Sequence, residues 1–212
     1  MDSAKEIARD MLEAIHIDGS GFWGAVAKGF ISFPVSAYYL GYDFLDTEHR
    51  RMNSDDKFRM ARLVKATTFN REIIEKVISV FVDDFTSRVN MEKISVVKNM
   101  AGTATGKVVF AQLTGFNLGK AISSRAVEAF FSGSMAGLLL AIGAEVSRAI
   151  YTSRYLEGRN PSMYYKLRDM GDLDLLYFLV EDIVNPFEKA CEISNVNHEE
   201  FNQICKYFFG GL

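Results

Sequence analysis

Proline is scarce in this chain, with three in 212 residues, so long stretches lack the residue that most firmly stops a helix. Cysteine is rarer still. Cys191 and Cys205 stand fourteen positions apart near the end of the sequence, which is neither a metal-binding nor a redox spacing, and a reducing compartment is the expected setting for folding. Excess charge of one sign is also missing. Lys and Arg number 24, Asp and Glu 27, giving a net charge of −3, and the basic residues are dispersed, which excludes the electrostatic footprint of a nucleic-acid binder. Their densest stretch, Arg50, Arg51, Lys57, Arg59, Arg62 and Lys65, alternates with Glu48, Asp55 and Asp56. It reads as a solvated helix face or as a contact surface for acidic lipid heads.

No apolar run reaches the roughly 20 residues of a standard membrane-spanning helix. Residues 129–143 are free of charge between Glu128 and Glu145 but rich in Ser and Gly, and residues 29–42 carry Ser32, Pro34 and Ser36. Low-complexity tracts and repeats of fixed period are missing as well. The start, MDSAKEIARDMLEAI, has the pattern of a charged amphipathic helix rather than a secretory leader, and no lipidation motif accompanies it. A protein made in the cytoplasm is expected, reaching any target outside by a dedicated secretion route or associating with a membrane when it acts.

What is present is a globular composition, 49% apolar and 24% charged, on a chain long enough to bury roughly 70% of its unfolded surface without disulfide or metal. Apolar residues recur at helical spacing almost everywhere and alternate as in a strand almost nowhere. A first helix is expected over residues 4–15, with Ile7, Met11, Leu12 and Ile15 on one face, broken by Asp18-Gly19-Ser20-Gly21. An apolar, aromatic segment, 22–45, holds Pro34 and is expected to kink or split there. Ser54, with Asp55 and Asp56 behind it, is expected to cap a helix to about Ala66. Asn70 is expected to cap the next, whose stripe is Ile73, Ile74, Val77, Ile78, Phe81 and Phe85.

Further runs cover 91–118 and 121–156. Gly158 suits a left-handed C-cap, and Asn160 with Pro161 a fresh start. Asp172 is expected to open a helix with the buried stripe Leu173, Leu176, Tyr177, Val180, Ile183 and Val184, kinked at Asn185-Pro186. Asn197 with Glu200 opens the last. The fold class expected is all-α: a single domain over residues 1–212, a compact bundle of about eight to ten helices with Gly/Ala-rich central helices.

Those central helices carry the most distinctive pattern. Gly102 and Gly106 form one GxxxG and Gly115 and Gly119 a second, while Ala129, Gly133, Gly137 and Ala141 follow at intervals of four. Residues four apart share a helix face, so the last set makes a smooth groove that a partner backbone can approach closely. Each glycine disfavours the helix by roughly 1 kcal/mol against alanine, so repeated glycines imply that close contact is needed there. Tight crossings in a soluble bundle, an interface between copies, or conditional insertion into lipid would each use such a face. A domain of this size with its most apolar helices among amphipathic ones resembles, in architecture, the pore-forming domains of colicins. That resemblance implies a soluble form that later enters a membrane. No motif is shared, and the colicin hairpin is longer, less charged and nearer the C-terminus.

No constellation points to chemistry. His16, His49 and His198 are far apart, and Asp46 with His49 is one half of a di-iron set at most. Cys191, His198 and Cys205 repeat at sevens but lack a fourth zinc ligand, so buried thiols are expected. The stretch 132–137, SGSMAG, misses the register of a nucleophile elbow, and 102–107, GTATGK, that of a phosphate loop. Asp83-Asp84 and Glu181-Asp182 read as solvated helix faces. Neither enzyme activity nor a cofactor or metal is expected. The functional expectation is a membrane-acting helical protein, a bacterial pore-forming toxin or secreted effector. Its alternative is a soluble interaction module, such as an immunity protein, adaptor or regulator. The partners are membrane lipid or protein, with a homo-oligomer open and no nucleic acid.

Overall fold

In the structure, a computed structural model, residues 3–15, 43, 45–66, 71–90, 122–123 and 146–210 are described. Most of them are helical, with no strand among the described residues. Numbered within that set, the helices are α1 (Ala4–Ala14), α2 (Arg50–Ala66), α3 (Arg71–Arg88), α4 (Val146–Arg159), α5 (Pro161–Asp169), α6 (Tyr177–Val196) and α7 (His198–Gly210), with a 3-10 turn, η1 (Leu173–Leu176), ahead of α6. Packing divides the chain into two compact units. The first is Met1–Trp23, Phe81–Phe130 and Asp182–Leu212; the second is Gly24–Val80 and Phe131–Glu181.

The first unit is built on apolar faces. Ser3 and Glu6 close a capping box ahead of α1: Glu6 N donates to Ser3 Oγ at 3.3 Å and Ser3 N to Glu6 Oε2 at 2.7 Å. Ile7, Met11, Leu12 and Ile15 are all buried, as their spacing implies, and α1 packs along α7. Asn197 opens α7 with its side-chain oxygen accepting from Glu200 N at 3.1 Å. At the centre is Phe85. Its ring lies edge-on to Phe187, Phe201 and Phe208 at 5.5, 5.9 and 5.8 Å, and stacked with Phe209 at 6.4 Å. All five rings are buried. Burial of one such side chain contributes about 1.5–3 kcal/mol, and a well-oriented ring pair adds about 0.5–1.5 kcal/mol. Arg88 closes the end of α3 by donating to Asn195 Oδ1 at 2.6 Å and Ser194 Oγ at 2.8 Å. Helix α6 continues through Pro186 to Val196.

In the second unit α4, α5 and η1 pack together, and α2 lies against α4. Asn160 caps α5 by accepting from Met163 N at 3.4 Å, with Pro161 as the first helical residue. Three sequence expectations change here. Helix α2 begins at Arg50, ahead of Ser54, because Asp46 supplies the cap: His49 N donates to Asp46 Oδ1 at 3.2 Å, and Asn53 N already bonds His49 O at 2.8 Å. Gly158 lies inside α4 rather than past its end, since Asn160 N still reaches Leu156 O at 2.7 Å and Asn160 makes the break. Asp172 makes no capping bond. It is left-handed, at φ 64°, directly after Gly171 at φ 102°, and its carboxylate is engaged elsewhere.

Candidate functional site

The small-residue positions singled out above, Gly102, Gly106, Gly115, Gly119, Ala129, Gly133, Gly137 and Ala141, lie outside the described residues. What the described residues offer is α2, a helix with two contrasting faces.

The inner face of α2 presents Arg59, whose three guanidinium nitrogens each meet a different carboxylate. Nε donates to Asp172 Oδ1 at 2.7 Å, Nη1 to Asp56 Oδ1 at 2.9 Å and Nη2 to Asp174 Oδ1 at 2.6 Å. The second oxygen of each carboxylate has its own donor. Arg62 Nη2 serves Asp172 at 2.8 Å, Arg154 Nη2 serves Asp56 at 2.7 Å, and Ser153 Oγ serves the fully buried Asp174 at 2.7 Å. The left-handed pair Gly171 and Asp172 turns the chain so that Asp172 and Asp174 both reach one guanidinium. Aspartate is among the few residues that tolerate this backbone region. Burial alone would lower the Arg59 pKa and raise that of Asp172. The bonds to Asp174 and Asp172 outweigh it for Arg59, and those from Arg59 and Arg62 for Asp172, so Arg59 sits above its ordinary value and Asp172 below. A buried network of this kind adds little net stability over apolar packing, but removing one partner destabilises by about 3–5 kcal/mol, because a charge is left unpaired at depth.

A second network lies toward the start of α2. Asp43 accepts from Lys57 Nζ at 2.7 Å, Asn53 Nδ2 at 2.7 Å and Ser147 Oγ at 3.1 Å. Tyr151 OH accepts from Asn53 Nδ2 at 2.9 Å and donates to Asp46 Oδ2 at 2.8 Å, while His49 Nδ1 lies 2.8 Å from Asp46 Oδ1. Burial, then the bond to Asp46, pushes the Tyr151 hydroxyl up to about 12. Burial would raise Asp43, but Lys57, Ser147 and Asn53 hold it below the usual carboxylate range. Asp46 and His49 thus form a pair rather than half of a metal site, with Tyr151 as a third member that sequence reasoning missed.

The outer face of α2 is different. Arg51, Asp55, Phe58 and Arg62 fall at helical spacing on one side, and Phe58 is 73% exposed. Arg50 and Arg51 pair with no described residue. The basic stretch therefore splits: Lys57 and Arg59 turn to internal carboxylates, and Arg62 bridges to Asp172 at the surface. Beside Arg62 opens a groove of about 370 Å³, with Leu63, Ile73, Met170 and Leu173 as apolar walls and Lys76 at its edge. Lys76 also meets Glu72 at 3.0 Å, an exposed pair; such pairs contribute about 0.3–0.5 kcal/mol.

In the first unit Cys191 and Cys205 are buried and His198 is exposed. Burial raises both thiols, Cys205 to about 12, and the nearby Asp84 carboxylate raises Cys191 further. Both therefore stay protonated and unreactive at neutral pH. Among the described residues no group of three or more His, Cys, Asp and Glu is placed to hold a metal ion, and no helix is long and apolar enough to cross a membrane. No protein-family model, curated protein or solved structure matches the chain.

Sequence reasoning also missed the Arg59 network. Its one sequence signal is Asp174, an acid set within the run Leu173-Asp174-Leu175-Leu176, where only a paired carboxylate can be buried.

Proposed function

We propose that the chain is a membrane-acting helical protein without catalytic activity, of the kind represented by bacterial pore-forming toxins and secreted effectors. It folds in water, meets an acidic lipid surface, and then commits its small-residue helices, 102–143, to lipid. In this reading the whole chain is one bundle of about eight to ten helices with those segments at its centre. The observation that carries the reading is the outer face of α2, where Phe58 stands 73% exposed between Arg51 and Arg62, with Asp55 alongside. An aromatic side chain framed by cations suits the headgroup level of an anionic bilayer, where the ring lodges in the interface and each cation adds attraction of roughly 1 kcal/mol.

Dye release from anionic vesicles tests it. Leakage is expected across about pH 4 to about pH 7.5, a range over which the ion pairs of α2 stay intact. Gly137→Leu, which fills the smooth helix face, should abolish leakage. Vesicles that stay sealed over the whole range would overturn the reading. A soluble interaction module is the second reading. It is favoured by Tyr155 and Tyr165, both exposed on α4 and α5, with Arg159 lying 5.2 Å over the Tyr155 ring, since Tyr and Arg are enriched at protein-binding hot spots. A stable stoichiometric complex with no effect on vesicles would select that alternative.

A further inference from the structure

The groove beside α2 combines features that the membrane reading does not by itself require. Its walls are apolar, with Leu63 and Leu173 buried and Met170 exposed at the opening. Its two cations face outward and its carboxylate faces inward: the side chains of Arg62 and Lys76 are 69% and 51% exposed, that of Asp172 only 18%. Arg59 neutralises Asp172 from within through the 2.7 Å contact at Oδ1. Arg62 has only Nη2 committed to Asp172 among the described residues, so its remaining donors are available at the groove. Among the described residues Lys76 is held only by an exposed carboxylate, Glu72, which does not line the groove and gives way readily to a stronger anion. A site with an apolar trough and two cations at its rim is complementary to an anion that carries a hydrocarbon chain. Its volume, about 370 Å³, is at the small end of ligand pockets. It holds a head and a short length of chain rather than a whole lipid.

We propose that this groove binds one acidic lipid, its phosphate held by Arg62 and Lys76 and the first part of its acyl chain lying against Leu63, Ile73, Met170 and Leu173. The proposal rests on the membrane reading and gives it a defined lipid site. A free phosphate ester shares the head chemistry, so the test separates the two. Titration calorimetry of the full chain with monomeric dodecyl phosphate should show saturable binding, while inorganic phosphate and the neutral dodecyl maltoside each bind at least roughly tenfold more weakly. Arg62→Ser with Lys76→Ser should weaken dodecyl phosphate binding by roughly tenfold or more, and Met170→Gln by a few-fold. All three positions are exposed, and a thermal melt confirms that the variants fold. Absence of binding, equal affinity in the double variant, or inorganic phosphate binding as tightly as the amphiphile would each overturn the groove assignment. Dye release is scored separately: sealed vesicles contradict membrane action whatever the amphiphile does, and unaltered amphiphile binding by the variants contradicts the groove whatever the vesicles do.

Discussion

Around Phe85 in the first unit four phenyl rings stand within 6.4 Å, and none of them can gain or lose a proton. Around Arg59 in the second unit three carboxylates stand within 2.9 Å, and every one of them can be protonated. The two centres join helices that are distant in sequence to a similar degree, and they differ in what undoes them. Apolar burial depends weakly on pH and salt. A paired network holds only while its charges persist, and its main contribution is to specify one arrangement rather than to add stability. The second unit is thus the one whose buried centre acid or a competing anion can loosen. It is also the part that carries the exposed Phe58 and the groove.

The largest effects should come from cutting each centre in its own way. Phe85→Ala leaves a cavity among the four rings and should destabilise by about 3–5 kcal/mol, with no rescue by a change of pH. Arg59→Met should destabilise by a similar amount, about 3–5 kcal/mol, because Asp174 is then a buried charge without a counterion; adding Asp174→Leu should recover most of that loss. Denaturant melts of the three variants measure this. A double variant no better than Arg59→Met alone would mean that the network contributes packing rather than charge pairing.

Acid should separate the units next. Asp43 and Asp172 have folded pKa values below their ordinary one, so the folded chain binds fewer protons than the unfolded chain. Their stabilisation is complete above the unfolded value of about 3.9 and is lost as pH falls through the lower folded values. Hydrogen exchange followed below about pH 4 should show the amides of α2 and α5 opening before those of α7. Simultaneous opening would break the comparison. The smallest effects should be equal in the two units. Ser3→Ala and Asn160→Ala each remove one helix cap and should each destabilise by about 1 kcal/mol. Equal losses place the difference between the units in their centres, not in their helix ends.

These contrasts also mark what the sequence could disclose. The stripe of α1, the Asn160-Pro161 start of α5 and the Asn197 cap of α7 are local, within four positions of the residues they serve, and they were legible. The Arg59 network was not, because its partners Asp172 and Asp174 lie 113 and 115 positions away. A basic residue read alone looks like a solvated face. Gly158 misled for a related reason: glycine permits a left-handed stop without requiring one, and the neighbouring Asn160 already breaks the helix. Of the candidate site, the basic stretch on α2 was visible. That it splits into an inner, paired face and an outer face around Phe58 follows only from the fold.

The most direct measurement places a reporter on that outer face. With Trp23→Phe removing the single tryptophan of the chain, Phe58→Trp supplies one fluorophore at the proposed point of contact. Added anionic vesicles should shift its emission to the blue and shield it from an aqueous quencher, while zwitterionic vesicles should leave it unchanged. An emission spectrum and quenching that stay the same with both would contradict the assignment of α2 as the face that meets the membrane.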